Sequence, residues 1–250
     1  MQVGLIGSGN MARALARGWG DPVLCSDSGS GRAVELAREL GGRAASNLEV
    51  AQEADLVVLC HKPYQLHAVA AEIAGHVTAV VSVLGGTSQA DLEAAYPGVP
   101  VFRLIPNTPV EVRQGITCYA PSQAADPELE REVMALFARV GSVVTLEERL
   151  FGVANSVSGV GPAYQALLAE AQIDAAIRLG LKPALASQLV VETMAGSAAL
   201  LEARDYDTLA VRREVTSPGG STARGLDALE RNGVRSAFQA AMDRVCEVGV

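Results

Sequence analysis

The chain has 250 residues, enough for one large domain or two, and 49% of them are hydrophobic, so a full-sized core can be built. It carries 20 basic and 28 acidic residues for a net charge of −8, no block of Lys and Arg, and only 4% aromatics, which argues against a nucleic-acid surface, an anionic-membrane surface or a base-stacking platform. No run of about 18 apolar residues and no basic leader precede or interrupt the pattern, so neither a membrane span nor a secretory signal is expected.

Four scattered cysteines, Cys25, Cys60, Cys118 and Cys246, form no C-x-x-C pair and have no neighbouring His. They read as reduced, small apolar residues of a cytoplasmic protein, and no metal site is expected.

The first dozen residues carry the strongest local signal. An apolar strand over 3–6 runs into Gly7-Ser8-Gly9-Asn10-Met11-Ala12, and a helical pattern follows to Trp19. Gly7 suits the tight turn, Gly9 leaves no side chain between backbone and ligand, and Ala12 lets helix and strand approach closely. Unpaired amides and the positive end of the helix dipole then face an incoming pyrophosphate.

A second strand is expected over 23–25, followed by a helix over 33–40 that Gly41-Gly42 closes. The unbroken apolar run over 56–60 predicts a strand buried on both faces, as in parallel sheets, and the largely apolar 79–84 and 101–105 read as further strands. Further strands at 116–119 and 143–144 flank a helix over 127–140. This βα rhythm predicts a Rossmann-like doubly wound sheet over residues 1–150, with functional loops at the carboxyl ends of its strands.

Beyond Asn155 the signals are almost wholly helical, so residues 151–250 are expected to form a separate all-α domain. Helices are predicted over 162–179 and 183–204, then two or three shorter ones. About 100 residues of apolar-rich helix make a poorly self-sufficient domain, so packing against another subunit is expected.

Three loops bear on chemistry. Asp27 lies about 20 residues past Gly7, where a carboxylate accepts from both ribose hydroxyls and favours NAD(H). Yet Ser26, Ser28, Ser30 and Arg32 can cradle a 2′-phosphate, and Asp27 can instead cap its own turn. The residues leave these alternatives open. His61-Lys62-Pro63 ends a central strand, with Lys62 as a cation beside phosphate or ribose unless it is a plain solvated lysine; His61 shows no carboxylate partner that would make it a proton shuttle.

In the third loop, Pro218-Gly219-Gly220 makes a tight turn that Ser221-Thr222 convert into a helix ending at Asn232-Gly233. It is a second anion site on the same physics, with Ser217 and Thr222 hydroxyls as added donors. Two anion sites suggest a cofactor phosphate in one and an acidic substrate in the other.

The chain resembles pyrroline-5-carboxylate reductase over nearly its whole length. The resemblance rests on Gly7 to Ala12, Lys62-Pro63, Pro106-Asn107-Thr108-Pro109 followed by Gly115, Ser158 to Tyr164, and Val215 to Thr222, in that order. It implies reduction of the C=N bond of 1-pyrroline-5-carboxylate to L-proline with NADPH, NADH being the alternative. It also implies a homodimer through the helical domain, with the active site between the nucleotide domain and helices of both subunits.

By resemblance, Asn10 and Met11 line the pyrophosphate turn, Ser26 lies near the adenosine ribose and Asn47 near the adenosine. Lys62 and Pro63 flank the cofactor, and Asn107 lies toward the nicotinamide. Ser217, Gly220, Ser221 and Thr222 would hold the substrate carboxylate, with the Thr222 hydroxyl reaching the imine nitrogen as the catalytic group.

Three departures stand out. Val160 replaces the family's usual second serine, which allows for an altered imine; His61 replaces a small apolar residue before Lys-Pro; and a sequence ending soon after Glu247 speaks against assemblies beyond a dimer. The rivals are a reductase of another cyclic imine, a β-hydroxyacid-type dehydrogenase and a non-catalytic dinucleotide-binding regulatory dimer. The dehydrogenase needs a lysine on the first long helix of the second domain, and 162–179 has none.

Overall fold

The structure, a computed structural model, describes residues 1–121 and 126–248. The chain forms two compact units, Met1–Pro162 together with the residues from Val245 onward, and Ala163–Arg244.

In the first unit, β1 (Val3–Ile6) leads through α1 (Asn10–Trp19) to β2 (Leu24–Ser26), then α2 (Arg32–Leu40), β3 (Arg43–Ala44) and α3 (Asn47–Glu53). There follow β4 (Leu56–Leu59), α4 (Leu66–Ile73), β5 (Val80–Ser82), α5 (Gln89–Ala95) and β6 (Val101–Pro106). β7 (Gly115–Ala120), α6 (Pro127–Ala138), β8 (Gly141–Thr145) and α7 (Phe151–Ala154) complete it. The eight strands form one sheet in the order β3-β2-β1-β4-β5-β6-β7-β8.

Alternation across the pleat explains the unbroken apolar runs. Leu5, Val58, Val81 and Phe102 point to one face, where Leu15, Leu36 and Phe137 of α1, α2 and α6 cover them. Ile6, Val57, Leu59 and Val80 point to the other, under Val50, Ile73 and Leu92 of α3, α4 and α5. Trp19 closes α1 by stacking edge-on against Phe137 at 5.6 Å and donating Nε1–H to the Leu136 carbonyl at 3.0 Å.

One pairing departs from the parallel rhythm: β7 runs antiparallel to β6, and β8 follows β7. The link over 107–114 holds only a short 3₁₀ turn at Thr108–Val112, too short for the crossover that a parallel return needs. Two helices, α3 and α5, and the two-residue β3 also lie outside the elements expected from the sequence. Both helices announce themselves by capping boxes, Ser46 with Glu49 and Ser88 with Asp91, before short apolar stretches.

The remaining elements are helical: α8 (Gly161–Arg178), α9 (Pro183–Glu202), α10 (Thr208–Glu214), α11 (Ser221–Arg231) and α12 (Val234–Val248). Within the second unit, Tyr164 meets Phe238 edge-on at 6.2 Å, and Arg204 pairs with Glu214 at 2.9 Å. Its apolar side chains are left open in the single chain, among them Leu167, Leu185, Leu189, Val191 and Leu229.

α9, with 20 residues and a mean hydropathy of 1.4 in its most apolar stretch, is long and apolar enough to cross a membrane by length and composition. Ser187, Gln188, Glu192, Thr193 and Ser197 interrupt the run, which hides it from a search for consecutive apolar residues without lowering its average that far.

Candidate functional site

The Gly7 turn is fixed by sterics. Gly7 takes φ +97° and donates its amide to the Ser26 carbonyl at 3.2 Å, and a Cβ there would sit 2.7 Å from the backbone of Cys60 and His61. A Cβ on Gly9, by contrast, would meet nothing within 4 Å. Gly9 caps α1 with no side-chain hydrogen bond, and the first turn of α1 holds no acidic residue. Asn10 and Met11, which line the cleft, therefore stand at the positive end of α1 with no capping side chain on their amides. In α3 and α5, by contrast, the N-cap serine accepts from the third amide of the helix.

A cleft of about 540 Å³ opens along the carboxyl ends of β1, β2, β4 and β5. Gly7, Gly9, Asn10, Met11, Asn47, Lys62 and Pro63 line it, joined by Asp27, Ser28, Ser30, Arg32, His61 and Gly85. Ser26 lies just behind this wall, 1% exposed, with its Oγ donating to Asn47 Oδ1 at 2.6 Å. The Asn47 Nδ2 donates to Glu72 at 2.8 Å, so both ends of that amide are held.

The Asp27 carboxylate is occupied within its own loop. Oδ1 accepts from the Gly29 amide at 2.7 Å and the Ser30 amide at 3.1 Å; Oδ2 accepts from Ser30 Oγ at 3.0 Å and the Ala33 amide at 2.8 Å. The Ala33 bond above all, then those of Gly29 and Ser30, holds its pKa below the usual carboxylate range. Asp27 caps the turn and the start of α2.

His61 donates from Nδ1 to the Lys62 carbonyl at 2.9 Å, which leaves Nε2 as an unprotonated acceptor, buried and without a partner. Burial pushes the imidazole pKa down, only partly offset by that bond, which favours the neutral form. Burial likewise pushes the Cys60 thiol up to about 12, so it carries no thiolate at neutral pH. Pro63 opens a short 3₁₀ turn whose Gln65 side chain accepts from the Lys62 amide at 3.1 Å.

Asn107 follows β6 on the same edge of the sheet but does not line the cleft. It is 8% exposed, and its amide joins the backbone of Ile116 and Ser158. Ser158 lies in a π turn over Asn155–Gly159, where a Cβ on Gly159 would fall 2.0 Å from the Asn155 side-chain oxygen. This clasp was not foreseen, because it joins residues 51 positions apart.

In the second unit the bend before α11 repeats the uncapped helix start. Gly219 has φ +69°, the Gly220 amide donates to the Ser217 carbonyl at 3.1 Å, and a Cβ on Gly220 would meet Ser217 Oγ at 2.4 Å. α11 has neither a side-chain cap nor an acidic residue in its first turn. Ser217 and Ser221 are exposed and Thr222 half-buried. Arg224 fastens the bend by donating to the Gly219 carbonyl at 3.0 Å.

Two families match separate parts of the chain. Residues 148–249 match the family described as pyrroline-5-carboxylate reductase dimerisation, and residues 2–86 match that of NADP oxidoreductase, coenzyme F420-dependent. The chain is 34% identical over 263 residues to the pyrroline-5-carboxylate reductase of Synechocystis sp., covering 100% of this chain and 98% of the relative. It is 34% identical over 274 residues to the enzyme of that name from Mycobacterium tuberculosis, covering 96% and 93%.

Among solved structures, 1-pyrroline-5-carboxylate reductase from Streptococcus pyogenes superimposes with a TM-score of 0.90 at 28% identity, over 99% of this chain and 97% of that one. The Plasmodium falciparum pyrroline carboxylate reductase, solved with NADP bound, gives 0.89 at 27% identity, over 99% and 96%.

Proposed function

The chain belongs to the pyrroline-5-carboxylate reductase family, and on that premise we propose which of its residues carry out the reduction of the C=N bond of 1-pyrroline-5-carboxylate to L-proline with NAD(P)H. Residues 1–150 bind the dinucleotide; residues 151–250 bind the substrate and form the homodimer, in which a second copy covers the apolar helices. Four free cysteines support a reducing compartment, the cytoplasm.

The cleft fits a dinucleotide on its own terms: open space over Gly9, uncapped α1 amides and a cation at Lys62 suit a pyrophosphate. When bound, the dinucleotide supplies the hydride. The Gly7 to Met11 turn holds its phosphates, Lys62 adds positive charge, Pro63 stiffens the wall, and Ser26 and Asn47 shape the adenosine end. Asn107 acts at the nicotinamide end by fixing the Ser158 turn.

The Ser217 hydroxyl, the free amides that follow Gly220 and the Ser221 hydroxyl bind the substrate carboxylate, and the Thr222 hydroxyl hydrogen-bonds the imine nitrogen. A cyclic imine is basic enough to be partly protonated near neutral pH, so no strong acid is required of the chain. What the residues must do is hold the imine carbon within roughly 3–3.5 Å of the hydride donor and keep water out.

The observation that carries this reading is the pair of uncapped helix starts, α1 and α11, each opened by a glycine turn and free of acidic residues. Thr222→Ala tests it. The expected outcome is a kcat/KM for the imine lowered about 10- to 100-fold, with dinucleotide Kd within about twofold of wild type. Unchanged efficiency refutes the role of Thr222. Running the assay with a panel of cyclic imines tests whether Val160 has altered the substrate.

A further inference from the structure

One residue closes most of the bend before α11. Ser217, Gly219 and Gly220 each bring a carbonyl to it, and all three are occupied. The Ser217 oxygen accepts from the Gly220 amide at 3.1 Å and the Gly220 oxygen from the Arg224 amide at 3.3 Å. The Gly219 oxygen accepts from the Arg224 guanidinium at 3.0 Å. Left bare, that last carbonyl would set a negative dipole beside the uncapped start of α11.

A cation at this place is unfavourable on its own, because the first turn of a helix favours carboxylates. α2, α3, α5 and α6 follow that rule with Glu35, Glu49, Asp91 and Glu128. α11 has no acidic residue there and carries Arg224 as its fourth residue. α1 also has an arginine fourth, Arg13, but Glu35 meets it at 3.7 Å. In the second unit Arg204, Arg231 and Arg235 pair with carboxylates. The bond of Arg224 runs instead to the backbone of the bend, from one nitrogen of a group that carries five N–H donors.

We propose that Arg224 is a positioning residue for the substrate carboxylate: it holds the Gly219 carbonyl and lends its charge to the α11 start, so that the enzyme separates cyclic imines that carry a carboxyl group from those that lack one. The inference rests on the bend being the carboxylate site, as proposed above. The bound carboxylate supplies the negative charge that the start of α11 lacks, and it offsets the penalty of a cation at the positive helix end. Arg224 is exposed, so its removal leaves the packing of the second unit in place.

The experiment compares two substrates on the full-length protein at saturating NADPH: 1-pyrroline-5-carboxylate, and 1-pyrroline, the same ring without its carboxyl group. Wild type, Arg224→Ala, Arg224→Lys, Arg224→Gln and Ser217→Ala are assayed at one ionic strength. The readout is the ratio of kcat/KM for the carboxylated ring to that for the bare ring. Arg224→Ala is expected to lower this ratio about tenfold, chiefly through the KM of the carboxylated ring. Arg224→Lys should restore part of the loss, and the uncharged Arg224→Gln less than Lys.

A merely structural role would slow both substrates alike and leave the ratio where it was. An unchanged ratio in Arg224→Ala, with Ser217→Ala lowering it, overturns the inference and leaves the bend intact as the carboxylate site. Full recovery by Arg224→Gln overturns the part given to the charge. A ratio that neither Arg224→Ala nor Ser217→Ala moves, or a wild type indifferent to the carboxyl group, overturns the assignment of the bend itself.

Discussion

Asn107 donates its Nδ2–H to the Ser158 carbonyl at 3.2 Å while its Oδ1 accepts from the Ile116 amide at 2.9 Å. One buried amide thus joins the carboxyl end of β6, the start of β7 and the π turn at Asn155–Gly159. With Nδ2 and Oδ1 each engaged by backbone, Asn107 is proposed to act by positioning the Ser158 turn. Asn107→Asp keeps the acceptor but turns a second oxygen toward the Ser158 carbonyl. A loss of about 1–3 kcal/mol in urea unfolding is expected. In the reductase assay kcat should fall while dinucleotide Kd stays within about twofold. A variant that loses dinucleotide affinity and keeps kcat would show that Asn107 is a direct ligand.

The two glycines of the first turn separate folding from binding. At Gly7 a side chain meets both a left-handed backbone and the rigid Cys60–His61 peptide at 2.7 Å, so Gly7→Ala should cost about 2 kcal/mol or more of stability. At Gly9 there is open space, so Gly9→Ala should melt close to wild type. Its methyl group nonetheless projects where a pyrophosphate must approach, and an NADPH Kd raised about tenfold is expected. Thermal melts and titrations on the same preparations check both statements. Two variants that behave alike would break the distinction.

Much of this was legible in the sequence because of where the sheet sits. Helices on both faces force runs such as Leu56 to Leu59 to be apolar without alternation, and the glycines at 7 and 219 mark turns through their left-handed backbone. The reversal of β7 is implicit in the shortness of 107–114. α3 and α5 were legible only through their capping boxes, since seven residues carry too little periodicity. The role of Asp27 was legible only as one of two alternatives, ribose acceptor or cap of its own turn. Which donors reach the carboxylate depends on the left-handed Gly29 and Gly31, and position 27 alone does not choose between them.

Asp27 also sets a pH dependence. Its folded pKa lies below the model-compound value of 3.8, chiefly through the Ala33 amide, so the ionised form is bound more tightly by the folded chain. The resulting stability is fully present above the unfolded value and drains away as pH falls through the lower folded one. Asp27→Asn should therefore be less stable than wild type between about pH 5 and 7, with the gap closing as the solution is acidified below 3.8. Urea midpoints of the two proteins across that range provide the measurement. A gap that stays constant or widens in acid contradicts the capping role of Asp27.

The last prediction concerns a charge kept inside the first unit. Arg103 on β6 has a side chain 9% exposed; it pairs with Glu148 at 2.5 Å and lies 4.6 Å over the Phe151 ring, with its Nε left unpaired. The same Glu148 oxygen accepts from the Gln89 amide at 2.6 Å, so one carboxylate ties the start of α5 to β6. Removing that carboxylate strands a buried guanidinium, which outweighs the modest worth of the pair itself. Glu148 is 41% exposed, so water takes up part of the burden and the expected cost of Glu148→Ala is about 1–2 kcal/mol. Arg103→Met removes the charge together with its need for a partner and keeps an unbranched side chain against Phe151. It should cost less than Glu148→Ala, and the double variant should be no worse than Glu148→Ala alone. Urea unfolding of the three proteins closes the cycle, and strictly additive losses would mean that the two side chains do not act as a pair.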